Sequence, residues 1–288
     1  MYHEFFAIEF PFLLFYIAFS AVLSYNKFMY NRVYFSDMQF EHNLSENVDG
    51  SAFVNHDHVS YEILYILRGS GVFLIEDSAY EFAPQSLFLI PFGKYHYMKK
   101  LPTDTYDRCV VNFSAELVPP VIAPPKALFL AKPSAAVAAL LEKFDRYAES
   151  FGGEVLHTLY ASLLSELLIL LSLETTHLPE TLQVPPLVAR AIAYINDHLD
   201  EPIRMETLAG RLYCSPSRLH HAFSETMGTS VVRYARMKKM YRARELLQSG
   251  ASAQRTAELL GYDDYPTFYK NYRSVFHASP SEQKNNGL

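Results

Sequence analysis

Two hydrophobic periods divide the chain. Between residues 30 and 112 short runs of β-branched and aromatic residues recur, among them Glu62-Ile-Leu-Tyr-Ile-Leu67, Gly71-Val-Phe-Leu-Ile-Glu76, Tyr80-Glu-Phe82, Ser86-Leu-Phe-Leu-Ile90 and Arg108-Cys-Val-Val-Asn-Phe113, with Gly, Pro, Asp and Ser between them. Short strands at this spacing predict a β-barrel or sandwich. Pro119-Pro120 and Pro124-Pro125 end the pattern. Residues 134–151 and 154–173 then follow a helical period, the second with Leu156, Leu159, Leu163, Leu167, Leu170 and Leu171 on one broad stripe. A stripe this wide suits two uses together: packing on the chain's own barrel and a seam between two subunits. A Thr- and Pro-rich stretch up to Pro186 reads as a linker, and everything from Leu187 onward reads as short amphipathic helices.

Within the helical part lies a degenerate repeat. Thr207-Leu-Ala-Gly-Arg-Leu-Tyr213 leads to Ser215-Pro-Ser-Arg-Leu-His-His-Ala-Phe223, and Arg255-Thr-Ala-Glu-Leu-Leu-Gly-Tyr262 leads to Asp264-Tyr-Pro-Thr-Phe-Tyr-Lys-Asn-Tyr272. Each copy predicts a helix, a short turn and a second helix, with Ser215 and Asp264 as N-caps and Gly261 in the second turn. Two helices on a tight turn form the helix-turn-helix that reads DNA, although plain helical domains use the same geometry.

Composition sharpens this picture. At 288 residues the chain is about twice an ordinary domain of ~150, which predicts two units. Half the residues are apolar and 19% charged, which excludes a disordered chain. The net charge of −6 conceals an asymmetry: residues 1–186 carry 11 basic and 21 acidic side chains, net −10, and residues 187–288 carry 14 and 10, net +4. The basic end is where a polyanion would bind. Cys109 and Cys214 stand far apart without a C-x-x-C spacing, so neither a disulfide framework nor a zinc ribbon is expected, and a reducing cytoplasm fits. Residues 5–23 are almost wholly apolar, interrupted by Glu9 and Pro11. That segment is open to three readings: a membrane anchor, a buried element, or an upstream extension of a protein that starts at Met29, the reading favoured here.

Residues 187–283 resemble the DNA-binding region of AraC-type transcriptional regulators. The resemblance rests on the double repeat, the linking segment 230–247, and a signature of Ala257, Leu260-Gly-Tyr262, Asp264, Phe268, Tyr272, Phe276 and Ser279-Pro-Ser281. It departs from the family at His221, where Arg is usual, at Ser224 for Lys, at Val231 for Pro, and at Arg204 in place of a Ser or Thr cap. The resemblance implies two recognition helices, over residues 215–225 and 265–276, in successive major-groove segments. Ser217, His220, His221, Pro266, Thr267, Tyr269 and Lys270 would then read bases, and Arg218, Arg236, Lys238, Lys239 and Arg273 would grip phosphates. Leu219, Phe223, Phe268, Tyr272 and Phe276 fall on the buried face.

The strand-rich part carries Gly50-x5-His56-x-His58-x3-Glu62-x6-Gly69 and Pro91-x-Gly93-x2-His96, spacings similar to the two cupin motifs. His56, His58 and Glu62 alternate on an extended segment, so with His96 they could hold Fe, Mn, Ni or Zn. AraC-type sensor barrels keep the same stretch as a ligand pocket, which makes an effector site lined by His56, His58, Glu62, Tyr65 and His96 the leading expectation, with no cofactor; a transition metal on His56, His58, Glu62 and His96 is the second.

The expected fold is thus α+β and multidomain. An extension (1–28) precedes a cupin-like sensor barrel (29–132), a helical dimerisation region (133–176), a linker (177–186) and an all-α double helix-turn-helix domain (187–285). The expected function is a cytoplasmic, non-enzymatic, homodimeric transcriptional regulator of promoter DNA. It would answer to a small-molecule effector, plausibly a sugar, and contact RNA polymerase. The alternative is a metal-dependent cupin enzyme with a helical association domain.

Overall fold

The computed structural model describes residues 27–46, 60–100, 105–174 and 182–281. Two antiparallel sheets face each other. The larger has the order β1 (Lys27–Tyr34), β2 (Met38–Glu46), β8 (Thr105–Phe113), β3 (Tyr61–Arg68), β6 (Leu87–Ile90) and β9 (Leu128–Leu130); the smaller runs β10 (Leu182–Gln183), β5 (Ser78–Phe82), β4 (Gly71–Ile75) and β7 (His96–Lys100). Side chains alternate across a strand, so each sheet has an inner and an outer face. Leu64, Ile66, Phe73, Phe82, Phe88 and Phe129 point inward and form a buried cluster between the sheets with tilted and edge-on rings, Phe73 and Phe88 lying 4.5 Å apart.

The outer faces are covered too. Met38, Phe40, Ile63, Tyr65, Cys109 and Val111 on the large sheet pack under α1 (Ala135–Ser150) and α2 (Gly153–Leu173). A sheet buried on both sides needs unbroken apolar runs, which is why β6 is buried at all four positions. Ser134 caps α1, its Oγ accepting from the Val137 amide at 3.5 Å, and Phe144 stacks on Phe40 at 5.4 Å. The Tyr160 hydroxyl, carried by α2, donates to the Phe144 carbonyl at 2.8 Å. Leu156, Leu163, Leu167 and Leu171 of the leucine stripe are consumed by this core. At the other edge of α2, Val155, Ile169 and Leu173 stay exposed.

Six helices follow: α3 (Pro186–Asp197), α4 (Met205–Arg211), α5 (Pro216–Met227), α6 (Val231–Gln248), α7 (Ala253–Leu259) and α8 (Tyr265–Phe276). The internal repeat is visible in the hydrogen bonds. In the first turn the Cys214 amide donates to Ala209 O at 3.0 Å across a left-handed Tyr213; in the second the Tyr262 amide donates to Ala257 O at 3.1 Å across a left-handed Gly261. Both are the six-to-one bond that ends a helix. Ser215, Ser230, Ser252 and Asp264 cap the following helices, each accepting the amide three residues on.

The outer face of the small sheet meets the helical domain. Leu74, Ala79 and Tyr95 share a core with Val184, Ile192, Val231 and Tyr234. β10, directly ahead of α3, pairs Leu182 with Ala79 and Gln183 with Ser78. Gly228, left-handed at φ 64, lies so close to the Tyr97 ring that a Cβ there would come within 2.5 Å of it.

Candidate functional site

The polar residues of the inner face gather on its β1–β2–β8 side, directly beside the aromatic cluster, with His96 stacked on Phe73 at 5.8 Å. Arg32 pairs with Glu41 at 3.2 Å, and Glu41 also accepts from Tyr34 Oη, Gln39 Nε2 and Asn43 Nδ2. Burial raises the Glu41 pKa, but Arg32 and these three donors outweigh it and hold the carboxyl below its ordinary value. Asn43 is paired across the ladder with Arg108, and Glu62 with Asn112. The guanidinium of Arg108 lies 4.7 Å above the Tyr106 ring, whose hydroxyl burial pushes up to about 12. Asn43 Oδ1 and Asn112 Oδ1 are buried with no hydrogen-bond partner among the described residues. A buried acceptor in that state costs about 1–3 kcal/mol unless a guest supplies the donor.

Of the expected effector residues, Glu62 and His96 come together here, His96 Nε2 lying 3.7 Å from Glu62 Oε2, both buried. His96 Nδ1 donates to the Lys94 carbonyl at 3.0 Å, which orients the ring. His56 and His58 lie outside the described residues. The expectation for Tyr65 is overturned: its side chain lies on the outer face, in the core beneath α1 and α2. The reason is parity, since Tyr65 stands three residues from Glu62 and a strand alternates every residue. Arg108, Asn43 and Asn112 were missed: alternation gives their parity within their own strands, and only the β2–β8–β3 register puts that parity on the face of Glu62.

In the helical domain α5 and α8 each bury one stripe, Leu219 and Phe223 in one, Phe268, Tyr272 and Phe276 in the other. Ser217, Arg218, His220 and His221 are exposed on α5, as are Pro266, Thr267, Lys270 and Arg273 on α8; Tyr269 is half-buried. Thr267 is committed to the cap: its amide donates to Asp264 Oδ1 at 2.7 Å and its hydroxyl to Oδ2 at 2.9 Å, leaving its methyl outward. Arg236 is exposed on α6.

Two expected phosphate contacts are corrected. Lys239 is buried, its Nζ donating to the Leu260 carbonyl at 2.8 Å and lying 5.4 Å from the Tyr262 ring centre, so it closes the end of α7; burial holds its pKa down against the pull of Asp200 and Glu201. Its neighbours one turn away, Ala235 and Ala243, are small and buried, a signal that this position lies on the packed side of α6. Lys238 is engaged by the barrel: its Nζ donates to Glu76 Oε1 at 2.9 Å. The same carboxylate accepts from the Tyr95 amide at 3.0 Å and the Tyr234 hydroxyl at 2.7 Å, and the Tyr95 hydroxyl donates to Met227 O. Glu76 and Lys238 are each only 12% exposed. Sequence reasoning missed Glu76; its place in the tight β4–β5 turn, with φ 54, gave no hint of a distant partner. It also missed Tyr213, 92% exposed in the first helix-turn-helix turn.

A polar-lined pair of sheets joined to two helix-turn-helix units, each presenting the exposed face of its second helix, defines a ligand-responsive DNA-binding regulator. The family described as the AraC-like ligand binding domain matches residues 44–172, and that described as a helix-turn-helix domain matches residues 208–286. The chain belongs to the AraC family of transcriptional regulators. It is 25% identical over 250 residues to the HTH-type transcriptional regulator YfiF of Bacillus subtilis, covering 78% of this chain and 76% of that one. It is 26% identical over 239 residues to the arabinose operon regulatory protein of Salmonella typhimurium, covering 77% and 82%. Against the Escherichia coli arabinose operon regulatory protein the identity is 33% over 103 residues, 34% of this chain and 35% of that one.

Proposed function

We propose that the regulator senses a small hydroxylated metabolite of the sugar class, held between the sheets by Glu62, His96, Arg108, Asn43 and Asn112. The observation that carries this reading is the row of buried polar side chains on the inner face, two of them with acceptors that have no hydrogen-bond partner among the described residues. The arabinose operon regulators among the relatives support the sugar class. In this reading the effector space between the sheets holds no cofactor, no catalytic step belongs to the barrel, and the protein works in the cytoplasm. Thermal-shift and calorimetric screening of monosaccharides and sugar acids tests it. A ligand that binds the wild type should bind Arg108→Ala and Glu62→Gln at least tenfold more weakly, the loss of a hydrogen bond to a charged group being about 1.5–3 kcal/mol. Equal binding by both variants would remove the site from the inner face.

The same reading pairs two copies through the exposed α2 edge of Val155, Ile169 and Leu173 and places α5 and α8 in the major groove of promoter DNA, beside RNA polymerase. Lys270 and His221 read base edges, whereas Arg218, Arg236 and Arg273 meet phosphates. Lys270→Ala and His221→Ala should each relax base preference at one operator position by about 1–3 kcal/mol. Arg273→Ala should weaken all sequences alike and flatten the salt dependence. Binding measured on operator variants at two salt concentrations separates the roles; a uniform loss from Lys270→Ala would make it a phosphate contact.

A further inference from the structure

We propose that His42, Cys109 and Asp145 form a binding site for a divalent transition ion of the zinc type, on the side of the large sheet opposite the effector face. His42 and Cys109 are direct partners across the β2–β8 ladder, and Asp145 reaches down to them from α1. Their donor atoms all lie within 4.8 Å of one another: Asp145 Oδ2 is 2.7 Å from His42 Nδ1 and 3.8 Å from Cys109 Sγ. Tetrahedral zinc, with bonds of about 2.0–2.3 Å, sets neighbouring donors roughly 3.3–3.8 Å apart, so the carboxylate has only to withdraw by about half an ångström. A mixed nitrogen, sulfur and oxygen set suits zinc or cobalt and disfavours magnesium or calcium.

The surroundings are arranged as such a site requires. The other ring nitrogen of His42 donates to Asp107 Oδ1 at 2.9 Å, the carboxylate–histidine pairing that fixes the tautomer and orientation of a ligating imidazole. The other carboxylate oxygen of Asp145 accepts from Asn31 Nδ2 at 2.8 Å, which leaves Oδ2 to turn toward the ion. Asp107 and Asp145 flank Cys109, and the cationic groups near them are the His42 ring, Arg108 beside Cys109 and the exposed Arg68, 3.7 Å from Asp107. Binding of a dication would displace the thiol proton of Cys109 and release it to solvent. Three protein ligands leave a fourth position for water. The ion would fasten β2, β8 and α1 to one another.

The test is a titration of the full-length chain, stripped by chelator, with cobalt(II) alone. The expected result is a thiolate-to-cobalt band in the near ultraviolet that saturates at a single equivalent and disappears on adding zinc. Cys109→Ser and Asp145→Asn should each abolish or shift it, Cys214→Ser should leave it intact, and Asp107→Asn should weaken binding by about 10–100-fold. Should either ligand variant fail to fold, the other carries the test. If chelation itself unfolds the protein, zinc should restore the wild type and Cys214→Ser but not Cys109→Ser; rescue of Cys109→Ser to the same extent overturns the proposal. No band in the wild type, or a band that follows Cys214, overturns it.

Discussion

Replacing Glu76 by alanine is expected to free the DNA-reading helices from the barrel. One carboxylate, in the β4–β5 turn, accepts from Lys238, Tyr234 and the Tyr95 amide, and thereby joins the small sheet to α6. Removing it leaves the Lys238 ammonium with only the Gly93 carbonyl, 3.5 Å away, in a largely buried seam, and breaking one side of a buried ion pair costs about 3–5 kcal/mol. At tenfold per 1.4 kcal/mol, the separated arrangement should gain about 100-fold or more in population. The measurement is limited proteolysis between residues 174 and 186 together with calorimetry. Cleavage should quicken by that factor, and one cooperative unfolding transition should split into two. Lys238 would then be free to meet phosphate, so effector-free affinity for DNA should rise and its salt dependence steepen. Gly228→Ala approaches the same seam from the other side, because its new Cβ would press on the Tyr97 ring, and it should give the same phenotype. Unchanged cleavage in both variants would mean that the apolar contact alone holds the domains.

The second large effect is expected at Gly261→Ala. Gly261 is left-handed at φ 67, and a Cβ there would lie 2.1 Å from the Asp200 carbonyl oxygen, a backbone atom that cannot swing away. The left-handed conformation alone costs alanine about 1–2 kcal/mol. The clash further forces the connection after α3 away from the second helix-turn-helix turn. A combined loss of about 3 kcal/mol or more should lower the Tm of the helical domain by over ~12 °C and abolish specific DNA binding. Gly210→Ala is the control: Gly210 is helical with open space around its Cα, so alanine should stabilise α4 by about 0.5–1 kcal/mol. Equal Tm values for the two variants would refute the argument.

The sequence carries the helical half of this protein more openly than the barrel. Ser215, Asp264 and the Leu-Gly-Tyr turn are local signals, read within a few residues, and the helices that Ser215 and Asp264 predict are present. The chemistry between elements is less legible. Lys238 and Lys239 look alike in a basic run, yet one reaches across to the barrel and the other turns into the helix-turn-helix core, a difference fixed by 100° of helical rotation and by partners distant in sequence. The misplacement of Tyr65 was avoidable from strand parity alone. His42 and Cys109 were beyond sequence reasoning, because the register that sets them opposite each other and the α1 residue that joins them depend on strands and a helix paired over long range.

The two-residue strand β10 sets the reach of the DNA-binding domain. While it is paired to β5, only the three steps from Gln183 to Pro186 separate the sheet from α3, a tether of about 10 Å even when fully extended. Once β10 peels away, the tether runs from Glu174 and can span about 40 Å, longer than the ~34 Å of one turn of duplex DNA. Release of β10 together with the Glu76 contacts would therefore let the DNA-binding domain range over a full turn of duplex from its own barrel.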